Sequence, residues 1–211
     1  MPMRSIALIA LLAFGSQRLE AAQAVVAAAC AAMEKGAKSI TTRDGSVVIF
    51  VQTDPSRTDS SGTGDSPHQD LCIQRNGLAP SLLVAGRGPL KEDDMRKVLT
   101  GFDSFLLSAD ESTLYFTSDA WATAPAAHAV NLRTRVQRFL SDGSVVQTIE
   151  RGSFRGKLLI GRSRLDSAHP ANSPLYTGRT IEWAIIDPAS RKTLARLPSD
   201  EQARRLWLDN H

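Results

Sequence analysis

What most constrains this chain is a series of short β-rich runs beyond Lys38, separated by turn residues, that fall into three groups of similar layout. In the first group, Val47 to Thr53 follows the turn Asp44-Gly45 and is succeeded by Asp70 to Arg75 and Ser81 to Ala85. The second runs through Phe102 to Leu107, Thr113 to Ser118, Ala127 to Leu132 and Gln137 to Leu140. The third runs through Val145 to Glu150, Lys157 to Arg162, Ile181 to Ile186 and Lys192 to Leu197. Runs of this length, rich in β-branched and aromatic residues and broken by Gly, Asp, Asn and Pro, read as strands. Each group supplies up to four antiparallel strands, the last two joined by a short polar turn such as Arg133-Thr134-Arg135 or Asp187-Pro188-Ala189-Ser190. Period-two alternation puts Tyr115 and Phe116 on opposite faces of one strand and Trp183 on the face of Ile181 and Ile185.

Within the middle group, Leu107-Ser108-Ala109-Asp110-Glu111-Ser112-Thr113-Leu114-Tyr115-Phe116-Thr117-Ser118-Asp119, followed by Ala129 to Thr134 and Arg138-Phe139-Leu140, resembles the β-propeller repeat of TolB-type periplasmic proteins. That repeat opens on a Ser-Pro-Asp-Gly turn. Here Ala109 and Glu111 replace its Pro and Gly, and Arg135 stands where a later turn of the family has Gly. The resemblance implies a stack of four-stranded sheets and a non-enzymatic binding or scaffolding role. Closed propellers have typically four to eight blades of about 40 to 50 residues. The expected fold is therefore mainly β: a small, open or incomplete propeller-like stack of about three four-stranded units, with short N- and C-terminal helices available to cover strand edges.

The first residues have another character. A basic start at Arg4, an apolar run from Ile6 to Phe14 and the small-x-small site Ala22-Gln23-Ala24 form the three-part layout of a secretory signal peptide, residues 1–24. The apolar run is too short for the roughly 20 residues a membrane-spanning helix needs. Cleavage leaves residues 25–211 as a single domain of about 187 residues, periplasmic or secreted, with no transmembrane segment. From Ala21 to Lys38 the chain reads as an Ala-rich amphipathic helix, and Ser199-Asp200-Glu201-Gln202 as the cap of a second helix over Ala203 to Asp209.

Cys30 and Cys72 are the only cysteines. Export makes a disulfide between them one state, beside two free buried thiols or lipidation of Cys30, which follows Ala27-Ala28-Ala29. The composition, 42% hydrophobic with a net charge of +3, suits a chain with a real core and lacks the charge runs expected of nucleic-acid binding.

No site for chemistry emerges. Gly161-Arg162-Ser163-Arg164-Leu165 begins like a nucleophile elbow but ends on Leu165 instead of the second Gly. Asp54, Asp59 and Asp65 fail the calcium-loop spacing, and His68, His128, His169 and His211 are scattered, so neither metal nor cofactor is expected. Three segments read as loops: Asp54 to Gln69, Asp119 to His128 and Leu165 to Gly178. Loops at one place in each unit gather on one face, the natural binding surface of such a stack.

Trp121 and His128, at the two ends of the middle loop, are the first binding candidates. A core-capping Trp and a hydrogen-bonded strand-end His are the plainer roles for them. The basic group Arg151, Arg155, Lys157, Arg162 and Arg164 is the second candidate, suited to an acidic cell-envelope polymer or another envelope protein if it shares one edge. Edge charges that block aggregation are its plainer role. Self-association that completes the ring is a further partner reading. Two functional readings compete with a binding module: a hydrolase with its site in the inter-strand loops, and a degenerate propeller fragment without its own activity.

Overall fold

The computed structural model describes residues 30–61, 64–88, 95–121, 124–165, 172–174, 178–199 and 201–210, and every structural statement here refers to these. The signal-peptide region and Ala21 to Ala29 of the expected first helix lie outside them.

Three four-stranded antiparallel sheets follow one another along the chain, each a simple meander. The first contains β1 (Ser39–Thr41), β2 (Val47–Ser61), β3 (Gly64–Arg75) and β4 (Ser81–Val84). The second contains β5 (Asp103–Leu107), β6 (Thr113–Trp121), β7 (Ala124–Asn131) and β8 (Gln137–Asp142). The third contains β9 (Ser144–Thr148), β10 (Leu158–Leu165), β11 (Arg179–Ile186) and β12 (Thr193–Leu197), and the helix α1 (Glu201–Asn210) follows. First strands lie beside first strands, β1 against β5 and β5 against β9. The result is an open, propeller-like stack, mainly β, of three units.

Side-chain alternation explains the stacking. Ile49, Val51, Leu71 and Ile73 on one face of the first sheet meet Leu114, Phe116 and Val130 of the second. The opposite face of the second sheet presents Tyr115, Ala127 and Ala129 to Leu158, Ile160, Ala184 and Ile186 of the third. Tyr115 and Phe116 thus serve different cores, as period two requires. Phe102 meets Phe116 edge to face, with ring centroids 5.6 Å apart.

The repeat is visible in the turns as well. At Thr42 to Ser46 and again at Ser108 to Ser112, an Asp carboxylate accepts from hydroxyls at both ends of the turn. The bonds are Thr42 to Asp44 at 2.7 Å and Ser108 to Asp110 at 2.6 Å, then Ser46 and Ser112 to the same Asp at 2.8 Å. Gly45 takes the left-handed position of the first turn (φ 72°) and Glu111 that of the second (φ 54°). The Ser46 N–H, then these hydroxyl bonds, hold Asp44 down at about 2, and the Ser108 and Ser112 hydroxyls lower Asp110 in the same direction. The later turns match too. Asn131 and Asp187 each accept from the backbone N–H groups two and three residues on, and Arg135 (φ 59°) and Arg191 (φ 61°) are left-handed. The turn geometry of the repeat therefore persists without its glycines.

Three expectations are corrected. Residues 54–69 are not a loop, because β2 and β3 run on as a paired ribbon with a register shift between Asp54 and Thr58. Polar composition reports that side chains face water, and says nothing of whether the backbone is paired. Likewise β6 reaches Trp121 and β7 starts at Ala124, so most of the expected Asp119 to His128 loop is strand, as is the start of the third loop at Leu165. Residues 30–38 are not helical, but cross the sheet and turn at Lys35-Gly36 before entering β1.

Both outer faces of the stack are covered by the chain itself. On the first sheet, Phe50, Cys72, Val48 and Leu82 lie under Cys30, which is joined to Cys72 by a disulfide. On the third sheet, Leu159, Trp183 and Ile185 lie under Trp207 and Leu208 of α1. Phe154 stacks on Trp207 with centroids 5.5 Å apart, and the Arg204 guanidinium sits 3.9 Å above the Trp183 ring.

Candidate functional site

Antiparallel pairing brings the starts of β1, β5 and β9 and the three hairpins β2–β3, β6–β7 and β10–β11 to one end of the stack. Contacts across the sheets fix this shared end. Lys38 pairs with Asp103 at 2.8 Å, Gln69 Oε1 accepts from Phe102 N at 3.3 Å, and Pro125 O accepts from Gly143 N at 2.7 Å. The opposite end carries the repeated turns, where Glu111 accepts from Arg43 N at 3.0 Å and Arg135 donates to Leu82 O at 2.9 Å.

At the hairpin end, the segment 31–38 roofs a cavity of about 320 Å³ whose floor includes Gln52, Thr53, Gln69 and Phe102. The roof is pinned by the disulfide, by Ala31 N donating to Gln52 Oε1 at 2.7 Å, and by Val51 N donating to Lys38 O at 2.9 Å. Beside it stand two carboxylates with unlike environments. The Lys38 ammonium and the Ser104 N–H lower Asp103, whereas partial burial, then the neighbouring Asp103 charge, raises Asp119. Gly101 (φ 60°) lets Asp119 pack against its Cα, a place no side chain could share.

A second cluster ties down the long ribbon. Buried His68 lies between two carboxylates, Nδ1 2.8 Å from Asp59 and Nε2 3.3 Å from Asp70. Asp70 also accepts from Gly86 N at 2.7 Å, and only glycine fits at 86, where the backbone passes directly over Gln69 O. This is a clasp that holds residues 86–88 on the ribbon.

His128, expected at a strand end near a binding loop, lies mid-strand and wholly buried, stacked on Phe116 at 5.3 Å. Its ring nitrogens face Ser118 Oγ at 2.9 Å and Gln137 Nε2 at 2.8 Å. Ser and His at this distance suggest a nucleophile and its base, but both side chains are wholly buried. The Ser118 hydroxyl donates to Val98 O at 3.1 Å, and Gln137 holds the other ring nitrogen of His128. Burial lowers His128 to about 4, which keeps it neutral at physiological pH. Trp121 closes β6 at the hairpin end opposite Ala124; its side chain lies outside the described residues.

The basic group does not share an edge. Arg151 and Arg155 lie in the turn between β9 and β10, near the Lys157–Asp187 pair (2.9 Å). Arg162 and Arg164 lie toward the other end of β10, and at about 3.3 Å per residue the strand separates Lys157 from Arg164 by roughly 20 Å. Sequence neighbours along a strand are distant in space.

What strand pairing assembles instead is a crown of arginines around Glu182. The Arg162 guanidinium, with the side chain 11% exposed, donates to Glu182 Oε1 at 3.2 Å and to Ser141 Oγ at 2.8 Å. Arg164 approaches the same oxygen at 3.9 Å, and Arg196 bonds Oε2. Sequence reasoning missed Glu182 and Arg196, although a signal was present. Glu182 is in phase with Ala184 and Ile186, and Arg162 with Ile160 and Leu158, so charges end two core-facing rows and need partners.

Among the described residues, no group of three or more His, Cys, Asp and Glu side chains forms a metal site, and no helix is long and apolar enough to cross a membrane. No protein-family model matches the chain, and no curated protein matches its sequence. Among solved structures, acylaminoacyl peptidase from Pyrococcus horikoshii is similar over 76% of this chain and 24% of its own, with 11% identity and a TM-score of 0.47. Hydrazine synthase from Kuenenia stuttgartiensis is similar over 76% of this chain and 41% of its own, with 15% identity and a TM-score of 0.45. This chain thus spans about a quarter of the peptidase and under half of the synthase, and likenesses of this degree carry no functional argument.

Proposed function

We propose that the chain is an exported, non-enzymatic binding or scaffolding protein of TolB-like propeller type, acting in the periplasm or outside the cell through the hairpin end of its stack. One observation carries the reading: three hairpins and a 320 Å³ cavity, with polar groups in its lining, converge on that end, while tight, internally satisfied turns fill the other. The signal-like residues 1–24 and the Cys30–Cys72 disulfide support the compartment, since such bonds persist where conditions oxidise. Ser118 and His128 are wholly buried, with the Ser118 hydroxyl donating to Val98 O, which speaks for binding over hydrolysis at this pair.

The test places a photo-crosslinking residue at Thr53 or Gln69 in the full chain expressed in a Gram-negative host, with Leu78 and Val136 as opposite-end controls. Crosslinked species from the hairpin end alone support the reading. Equal yields from both ends, or none, defeat it. A thiol-blocking assay on the same fractions reads the compartment: cysteines open to alkylation before reduction would place the protein among reducing surroundings.

A further inference from the structure

We infer that the crown of Arg162, Arg164 and Arg196 is a docking site for carboxylates of an acidic peptide segment on a partner protein. The inference rests on the binding reading above and names the chemistry of one part of that surface.

Charge is the first argument. Three guanidinium groups surround one carboxylate, Glu182, which leaves two positive charges uncompensated. Even with the carboxylate of Asp142 at the end of β8 counted, the crown stays positive. The arginines also differ in how fully they are used. Arg162 is committed, its Nε and both terminal nitrogens bound to Ser141, Asp142 O, Glu182 and Thr193. Arg164 is 46% exposed and meets Glu182 only at 3.9 Å, beyond hydrogen-bond distance, so its N–H donors are open. Arg196 is 66% exposed and its one bond, through Nη1, goes to Glu182.

Geometry supplies the second argument. Cross-strand pairing of Arg162 with Glu182 and of Ala184 with Arg196 sets this row rigidly on three adjacent strands. Glu182 itself shows that the crown accepts a carboxylate between guanidinium forks. An incoming carboxylate from a Glu- or Asp-rich segment bridges Arg164 and Arg196 on their outer donors, with Arg162 fixed behind them. A neutral or basic segment gains nothing there.

The experiment titrates a fluorescently labelled hexaglutamate peptide into the full-length chain and follows anisotropy. Arg164→Gln and Arg196→Gln each weaken binding about three- to five-fold, the range of exposed ion pairs, while Glu182→Gln tightens it because it removes the internal competitor. Arg151→Gln with Arg155→Gln leaves binding unchanged, and added salt weakens the wild type. Far-ultraviolet circular dichroism and thermal melts confirm that each variant folds. Overturning results are equal loss from the Arg151/Arg155 variant, weaker binding in Glu182→Gln, no loss in the two arginine variants, or displacement by inorganic polyphosphate at far lower concentration than by free hexaglutamate. If the peptide does not bind while hairpin-end crosslinks persist, the crown inference fails alone. If both are lost, the binding reading falls with it.

Discussion

The two ends of the stack solve one problem differently. In a closed ring, each outer sheet face would pack on the next blade. Here the face of the first sheet lies under the segment that starts at Cys30, and a covalent bond to Cys72 fixes it. The face of the third sheet lies under α1, which is seated by Trp207 and Leu208 and by the Arg204 guanidinium over the Trp183 ring, with no covalent tie. An open stack needs each outer face covered, and here one cover is tethered covalently and the other seated on aromatic side chains.

The largest test of this contrast removes the tether. Cys30→Ser with Cys72→Ser frees a loop with a sequence separation of 42, a loss of about 4 kcal/mol by loop entropy. Thermal melts with and without reductant check it; a wild type indifferent to reductant would mean that the cover holds without the bond. The centre of the stack provides an internal reference. His128 has a usual value near 6.5 and is held near 4 in the folded protein, so unfolding takes up a proton between those values. Stability is full above about pH 6.5, falls as pH drops toward 4 and levels below that, by about 3 kcal/mol in all. Denaturant titrations of wild type and His128→Phe across this window should converge toward low pH, because the variant lacks this dependence.

At the other end, Trp207→Ala costs about 2 kcal/mol through lost packing on Phe154. Its effect adds to that of the tether, since the two covers lie on opposite faces of the stack. A cost that vanished in the reduced protein would show that the covers are one cooperative unit. The smallest effect concerns the turns. Arg191→Gly relieves a left-handed residue and stabilises by about 0.5–1 kcal/mol, whereas Arg135→Gly gains less because Arg135 also bonds Leu82 O and Ser81 Oγ of the first sheet. Melting temperatures of the two variants give the comparison.

Much of the fold was legible because strands announce themselves by alternation. The expected runs at Thr113 to Ser118, Lys157 to Arg162 and Ile181 to Ile186 fall within β6, β10 and β11 or within one residue of β10's start. β1 was not legible, since three residues after a turn carry no period. The polar ribbon was not legible either, because its pairing lies in the backbone. For the candidate site, the sequence singled out Arg162 and Arg164 but joined them to Arg151 and Arg155, which the length of β10 separates. It also put His128 at the end of a loop begun at Asp119, because the Ala- and Pro-containing stretch before it carries no strand period.

By itself, then, the sequence determined three sheet-forming groups and the faces on which their side chains fall, both local properties of the chain. Tertiary structure alone decided that Cys30 reaches Cys72, that α1 closes the third sheet, that the Ser118 hydroxyl donates to Val98 O, and that Arg196 joins Arg162 and Arg164 around Glu182. These depend on which strands lie side by side and in what register, and register is settled only when whole sheets bury their faces against one another.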